Sequence, residues 1–213
     1  MIALLLSLTA IIAYFCGSIS TVNLTSNLYY HRNIRADYPL DNEGITRFIK
    51  HFGKKGVAVL FGCEIVKTVI PLLIGGLLLN IVDHSDVGYA FAMFCLTLGT
   101  LFPVMYGFKG ERSLVAVAVS AFFIGSSVGV AAVIVFAIVY FVTRYVSLST
   151  MCAALMMCLI TMMTVDTKPV QYLVLLTAVL IFIENRHSIV RLLKGKEPKF
   201  KYRKDISYMF DED

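Results

Sequence analysis

Of the 19 lysines and arginines in this chain, 17 fall in four short stretches between apolar runs: six in 25–55, two in 107–113, one in 143–145 and eight in 185–213. Basic residues flanking lipid-soluble segments collect on the cytoplasmic face, so these stretches are expected to share one side of a membrane. With 58% hydrophobic residues, a mean hydropathy of +0.79 and no tryptophan, a chain of 213 residues cannot clothe a soluble core in polar side chains. The expected class is an all-α, multi-pass protein of the cell membrane with a single membrane domain over 1–213. A net charge of +5 does not point to nucleic acid here, because the cations stand where they fix orientation and meet anionic headgroups. Membrane lipids are the expected surroundings.

The apolar runs lie at about 2–24, 57–81, 87–106, 114–142, 146–164 and 169–184. About 20 helical residues cross a hydrocarbon core of ~30 Å, so most of these are single spans. The opening MIALLLSL has no basic residue ahead of it and is expected to be the first span and not a cleaved signal. The run 114–142 would make a helix of roughly 43 Å, too long for one crossing without strong tilt. Gly125, Ser126, Ser127 and Gly129 break its middle. A single crossing there would also place the loop 107–113 and the tail 185–213 on opposite faces. Two short helices, 114–125 and 128–143, folded as a hairpin bring all four basic stretches to the cytoplasm. The expected architecture is therefore seven helical segments, with the N-terminus outside and the C-terminus inside. A cytoplasmic loop over 25–55 and a basic cytoplasmic tail over 185–213 complete it.

The five cysteines, Cys16, Cys63, Cys95, Cys152 and Cys158, all lie in apolar runs without a CxxC pair, so they read as small buried hydrophobes. No metal and no cofactor is expected. Lys67 is different, because it interrupts the second span with Glu64 three residues before it on the same helical face. A charge at that depth costs about 2.5–3.5 kcal/mol on insertion scales and usually faces the bundle interior with a partner. Two uses stay open: lining a site, or reaching to the nearby interface with Glu64 as a local mate.

The basic stretches hold the remaining polar candidates. In YGFKGERSL, Lys109, Gly110 and Arg112 precede a helix that starts near Ser113, and amides at a helix N-terminus beside cations suit a phosphate. A positively charged turn at a membrane surface explains the same residues. In the first loop, Ile45 to Phe52 can form a short interfacial helix. Glu184, Asn185, Arg186 and His187 sit where the last span meets the interface, and His187 and Arg191 share a helical face.

The order of these segments resembles the bacterial membrane acyl-phosphate:glycerol-3-phosphate acyltransferases, the PlsY family, from Gly17 to about Phe200. GSISTVNL resembles that family's GSIPTGYL, and DNEGITRFIKHFGKKG keeps Asn42, Gly44, Thr46 and the Gly53-Lys54-Lys55 run of its first motif in register. CEIVKT is similar to its Asp-Leu-Leu-Lys-Gly, and LGTLFPVMYGFKG to its Gly-His-x-Phe-Pro-Val stretch. TRYVSLST and IVRLLKGKEPKF fit as well. The resemblance implies a seven-helix enzyme that transfers the acyl chain of acyl phosphate to the 1-hydroxyl of glycerol 3-phosphate, giving lysophosphatidic acid and phosphate. With the residues singled out above, the candidate catalytic residues are Asn42, Arg112 and His187, and the candidate substrate-binding residues are Gly44, Thr46, Lys50, Glu64, Lys67, Lys109, Gly110, Asn185 and Arg191.

The departures from the family pattern fall on its chemistry. Leu40 stands for a serine, Asp41 for a glycine, Arg47 for an asparagine, Lys50 for an arginine and Thr100 for a histidine. Of the glycine-rich GGKGVAT only Gly110 is unchanged, and Arg112 keeps the lysine's charge but not its shape. Asn185 stands for the terminal histidine and Ser188 for an asparagine, with His187 two residues displaced. Three readings stay open on the sequence: a divergent active acyltransferase, a paralogue that binds lipid phosphate or serves as a partner subunit, and a small transporter around the break at Gly125. Acyl-chain preference and oligomeric state are not encoded legibly.

Overall fold

The structure, a computed structural model, describes residues 1–30, 44–108, 110, 114–186 and 188–189. Among them are eight α-helices: α1 (Ile2–Ser18), α2 (Thr21–Tyr30), α3 (Gly44–Asn80), α4 (Ser85–Leu101), α5 (Leu114–Ile124), α6 (Ser126–Thr143), α7 (Val146–Thr164) and α8 (Lys168–Glu184). A 3₁₀ turn at Val104–Tyr106 follows α4. The all-helical expectation holds, and the hairpin expected at Gly125 is present as α5 packed against α6. Its second arm begins at Ser126, two residues earlier than the sequence pattern suggests.

Two boundaries differ from the sequence reading. The first span, expected to be continuous over 2–24, is cut at Ile19–Ser20 into α1 and α2, which makes eight segments where seven were expected. The reason is a cap inside the run: Ser20 Oγ accepts the Asn23 amide at 3.3 Å and starts a new helix. The separate interfacial helix expected over 45–52 is instead the beginning of α3, which runs unbroken through Gly53 and Gly56. Its 37 residues are roughly 55 Å long, so the first turns project well beyond a hydrocarbon core. The third span reaches Tyr106 as expected, but its α-helical part ends at Leu101, because Pro103 takes extended backbone and starts the 3₁₀ turn that completes it.

Small residues set how close the helices come. In lipid there is little hydrophobic drive between helices, so packing and close backbone approach hold the bundle. A Cβ on Gly17 would strike the Leu96 carbonyl oxygen, with Gly99 Cα 3.1 Å away. Gly99 in turn lies against the Tyr14 carbonyl. Gly75 of α3 and Gly88 of α4 form a second such contact, with Ala92 and Thr9 beside them. The result is a three-helix centre of α1, α3 and α4, in which Ala13, Leu72, Met93 and Leu96 are buried. Around it, α8 covers α4, and α7 joins α8 to the hairpin through Met157, Val170 and Val174.

Helix ends are closed locally. Asp83 takes φ +56 after α3, and the His84 amide bonds the Leu79 carbonyl at 3.0 Å. Arg144 takes φ +59 after α6, with its amide on the Tyr140 carbonyl at 2.8 Å. Buried threonine hydroxyls bond carbonyls one turn back: Thr9 to Leu5 O at 2.9 Å, Thr97 to Met93 O at 2.8 Å and Thr161 to Met157 O at 2.7 Å.

Gly99→Val is expected to lower the stability of the detergent-solubilised protein by about 3 kcal/mol, because two backbones must separate. Gly62→Ala, where an added methyl meets nothing within 4 Å, should instead raise helix stability by roughly 0.5–1 kcal/mol. Thermal unfolding of the purified variants reads both signs.

Candidate functional site

One end of the bundle holds the buried Lys67–Glu64 pair and several buried polar side chains. The joint between α1 and α2, the C-terminus of α4 and the N-terminal half of α3 meet there. Gly110 is packed on the Thr100 and Leu101 carbonyl oxygens, so α5 begins at the same end. The hairpin, the two-residue link Arg144–Tyr145 and the short link at 165–167 then return the end of α8 to it. This end therefore holds Thr21, Glu64, Lys67, Gly110 and Asn185.

The centre of the arrangement is the α1–α2 joint. Where α1 stops, its last carbonyls lose their helical partners, and in a membrane protein such groups must find others. Lys67 Nζ, from α3, donates to Ile19 O at 2.9 Å and to Thr21 Oγ1 at 3.2 Å, and pairs with Glu64 Oε1 at 3.6 Å. The Thr21 hydroxyl donates to Glu64 Oε2. One ammonium thus bridges the last residues of one helix and the first of the next, with its charge balanced by a carboxylate one turn away. The side chains of the pair are only 9% and 11% exposed. Thr68 Oγ1 bonds Glu64 O at 2.8 Å, and Pro71 follows without ending the helix.

The turn after α4 is tied to the same joint. Pro103 ends the helix, Gly107 and Phe108 both take φ +61, and the Phe108 amide bonds Pro103 O at 3.0 Å. Tyr14 donates its hydroxyl to Phe102 O at 2.6 Å, and Asn23 Nδ2 meets the Tyr106 hydroxyl at 3.5 Å. Phe102, Val104, Met105 and Phe108 stay exposed, which gives this end an apolar rim beside Gly110.

Asn185 closes α8 and is 3% exposed. Its Nδ2 donates to Ile181 O at 2.8 Å, while its Oδ1 is buried and has no hydrogen-bond partner among the described residues. Thr25 Oγ1, one turn beyond Thr21 on α2, is buried in the same condition. Unpaired buried oxygens cost about 1–3 kcal/mol and are uncommon enough to call for a ligand or water.

Of the residues expected from sequence, Glu64, Lys67, Gly110 and Asn185 come to this end. Gly44, Thr46 and Lys50 lie on the first turns of α3. Asn42, Lys109, Arg112, His187 and Arg191 lie outside the described residues. Sequence reasoning did not single out Thr21, the Ile19 carbonyl, Asn23, Tyr14 or Tyr106. The polar Gly17-Ser18-Ile19-Ser20-Thr21 run inside an apolar span was the available signal.

Fold and site together define a multi-pass helical membrane protein with a buried ion pair and buried polar side chains at one end of the bundle. The family model for glycerol-3-phosphate acyltransferase matches residues 7–195, and the chain belongs to that family. It is 32% identical to glycerol-3-phosphate acyltransferase 2 of Bacillus anthracis, over 90% of this chain and 97% of that one. It is 28% identical to the glycerol-3-phosphate acyltransferase of Thermoanaerobacter sp. strain X514, over 93% and 98%. Among solved structures it resembles PlsY (YgiH), an integral membrane glycerol 3-phosphate acyltransferase, in its glycerol 3-phosphate form. That match has a TM-score of 0.75 at 25% identity and covers 96% of this chain and 98% of that one. The lysophosphatidic acid form of the same enzyme matches with a TM-score of 0.74 at 26% identity, covering 92% and 95%.

Lys67→Met strands a carboxylate and is expected to cost about 3 kcal/mol. The double variant Glu64→Gln with Lys67→Met removes both charges while leaving an amide oxygen for the Thr21 hydroxyl, and should recover most of that loss. Thermal unfolding in detergent separates the two.

Proposed function

We propose that this chain transfers an acyl group from acyl phosphate to the 1-hydroxyl of glycerol 3-phosphate, at the polar end of the bundle, which faces the cytoplasm. The hydroxyl oxygen bonds the acyl carbon and the carbon–oxygen bond to phosphate breaks. Phosphate leaves with that electron pair, and the hydroxyl proton passes to water or to the departing phosphate. The products are lysophosphatidic acid and phosphate. An acyl phosphate is already activated, so alignment of the two reactants and stabilisation of the leaving phosphate carry the rate without a covalent enzyme intermediate.

The observation that carries this reading is the buried Asn185 Oδ1, without a partner among the described residues, at one end of a membrane bundle of this family. A free acceptor there suits a substrate hydroxyl, which needs both an acceptor and a site shielded from water. The apolar rim of Phe102, Val104, Met105 and Phe108 supports it, because the donor's chain stays in lipid while the acceptor arrives from water. Asn42, Arg112 and His187 are the residues we assign to the reacting groups. Lys109, Gly110, Arg191, Gly44, Thr46 and Lys50 are assigned to the phosphates. Glycerol 3-phosphate and lysophosphatidic acid are the ligands named for the two PlsY forms, and the same pair is the proposed acceptor and product here.

Purified protein in lipid is expected to release phosphate from acyl phosphate only when glycerol 3-phosphate is present. Release without acceptor, or no release with both substrates, overturns the proposal. Stabilisation by glycerol 3-phosphate without turnover would mark a binder. Arg112→Ala should abolish turnover with the fold intact. Asn185→Leu, which replaces the free oxygen with carbon, should lower kcat/KM about tenfold or more, checked by steady-state kinetics beside a thermal melt.

A further inference from the structure

Within the proposed acyltransferase reading, we infer that Lys67 is a positioning residue: its ammonium is the tie that fixes the direction of α2 against α1, and it does not hold substrate phosphate. A phosphate ligand needs a free proton and access to the ligand. Lys67 offers little of either, since its ammonium donates to Ile19 O and Thr21 Oγ1, is ion-paired with Glu64 Oε1 at 3.6 Å, and its side chain is 9% exposed. Its charge is already balanced, so a dianion arriving beside it would also meet Glu64.

What the tie controls follows from the joint. Ile19 and Ser20 alone separate α1 from α2, so backbone rotation at two residues redirects the whole of α2. Among the described residues, α3 is the only helix against which α2 packs extensively. The Lys67 contacts to Ile19 and Thr21 grip both sides of that joint from α3. Asn23, one turn along α2, then meets Tyr106, the residue that leads into Gly110. The joint and the turn after α4 therefore share one set of bonds, and Gly110 packs against the end of α4 beside them. The chain also runs from α2 towards Asn42 in the sequence. Loosening the joint should misalign groups that reach the reacting atoms, and a shift of about 1 Å in such groups costs roughly 100-fold in rate.

The test uses full-length protein in lipid and the charge-balanced variant E64Q/K67M, so that no buried ion is stranded. The expected result is a fall in kcat of about 10- to 100-fold, with KM for glycerol 3-phosphate within about twofold of the parent. In an otherwise unchanged chain, K67R, which can still donate to Ile19 O and Thr21, should return to within a few fold of the parent. A KM raised about tenfold or more with kcat kept would make Lys67 a substrate ligand and overturn the inference. Unchanged kcat and KM would overturn it too. Hydrogen exchange followed by mass spectrometry reads the same joint without turnover: peptides covering 19–30 should exchange faster in E64Q/K67M, and those covering α8 should not. Uniform acceleration or none rejects a local tie. If the parent protein shows no acyl transfer, the functional proposal fails while the exchange result still decides the role of Lys67.

Discussion

A helix that breaks inside a membrane leaves carbonyls with nothing to bond, and the rest of this structure depends on how that is met at Ile19. Water cannot serve there at low cost, so the partner must come from protein. Lys67 supplies it from a neighbouring helix at 2.9 Å, and Glu64 makes the ammonium tolerable at that depth. An intramembrane lysine is expensive alone, and a broken helix is expensive alone. Placed together, each relieves the cost of the other, and the Thr21 hydroxyl joins the two by donating to Glu64 and accepting from Lys67.

That arrangement requires α1, α3 and α4 to be very close, which is why glycines recur along them. Gly17 on Gly99 and Gly75 on Gly88 let backbones touch where any side chain would push them apart. The closeness places Tyr14 within reach of Phe102 O, so that the turn following α4 is bonded to α1. Gly110 then rests directly on the carbonyl end of α4. Its survival where the rest of the glycine-rich family motif has changed has a steric explanation: a Cβ there would strike the Thr100 and Leu101 oxygens, whatever the ligand. Gly125 is the opposite case. Its backbone is extended at φ 176 and ψ 142, and an added Cβ would meet only ordinary contacts. The hairpin turns at Gly125 without needing glycine.

The architecture was legible because the signals that specify it are long and redundant. Four basic stretches that the positive-inside rule assigns to one face, and an apolar run too long for one crossing, both point to the hairpin in the sequence itself. The Lys67 and Glu64 pair was legible as well, since three residues on a helix share a face. Their other partners were not. Ile19 O is 48 residues away and becomes available only because α1 stops, and apolar periodicity does not register a stop made by one serine cap in a run that remains greasy on both sides. The continuity of α3 was missed for the converse reason. Gly53 and Gly56 read as punctuation, yet a glycine costs a helix only about 1 kcal/mol, which packing readily overrides. At the site, Asn185 was marked by its place in a family motif, but its free oxygen is a property of geometry alone.

The substitutions along this chain fall unevenly, and the unevenness has a physical reading. Against the family motifs that the sequence resembles, the residues that build the frame keep their type: Gly17, Thr21, Lys67, Pro103 and Gly110, with Glu64 in place of a shorter acid. The positions that the resemblance assigns to substrate differ more, among them Leu40, Asp41 and Asn185. An acyl phosphate needs comparatively little chemical help, so the demands on individual side chains at the site are looser than those on the scaffold that aligns two reactants. A leucine for a serine removes one hydrogen bond; a lysine lost at the joint would redirect a helix. On that argument the frame is the part of the catalyst least able to vary, and Lys67 belongs to the frame even though its charge and depth make it look like a ligand.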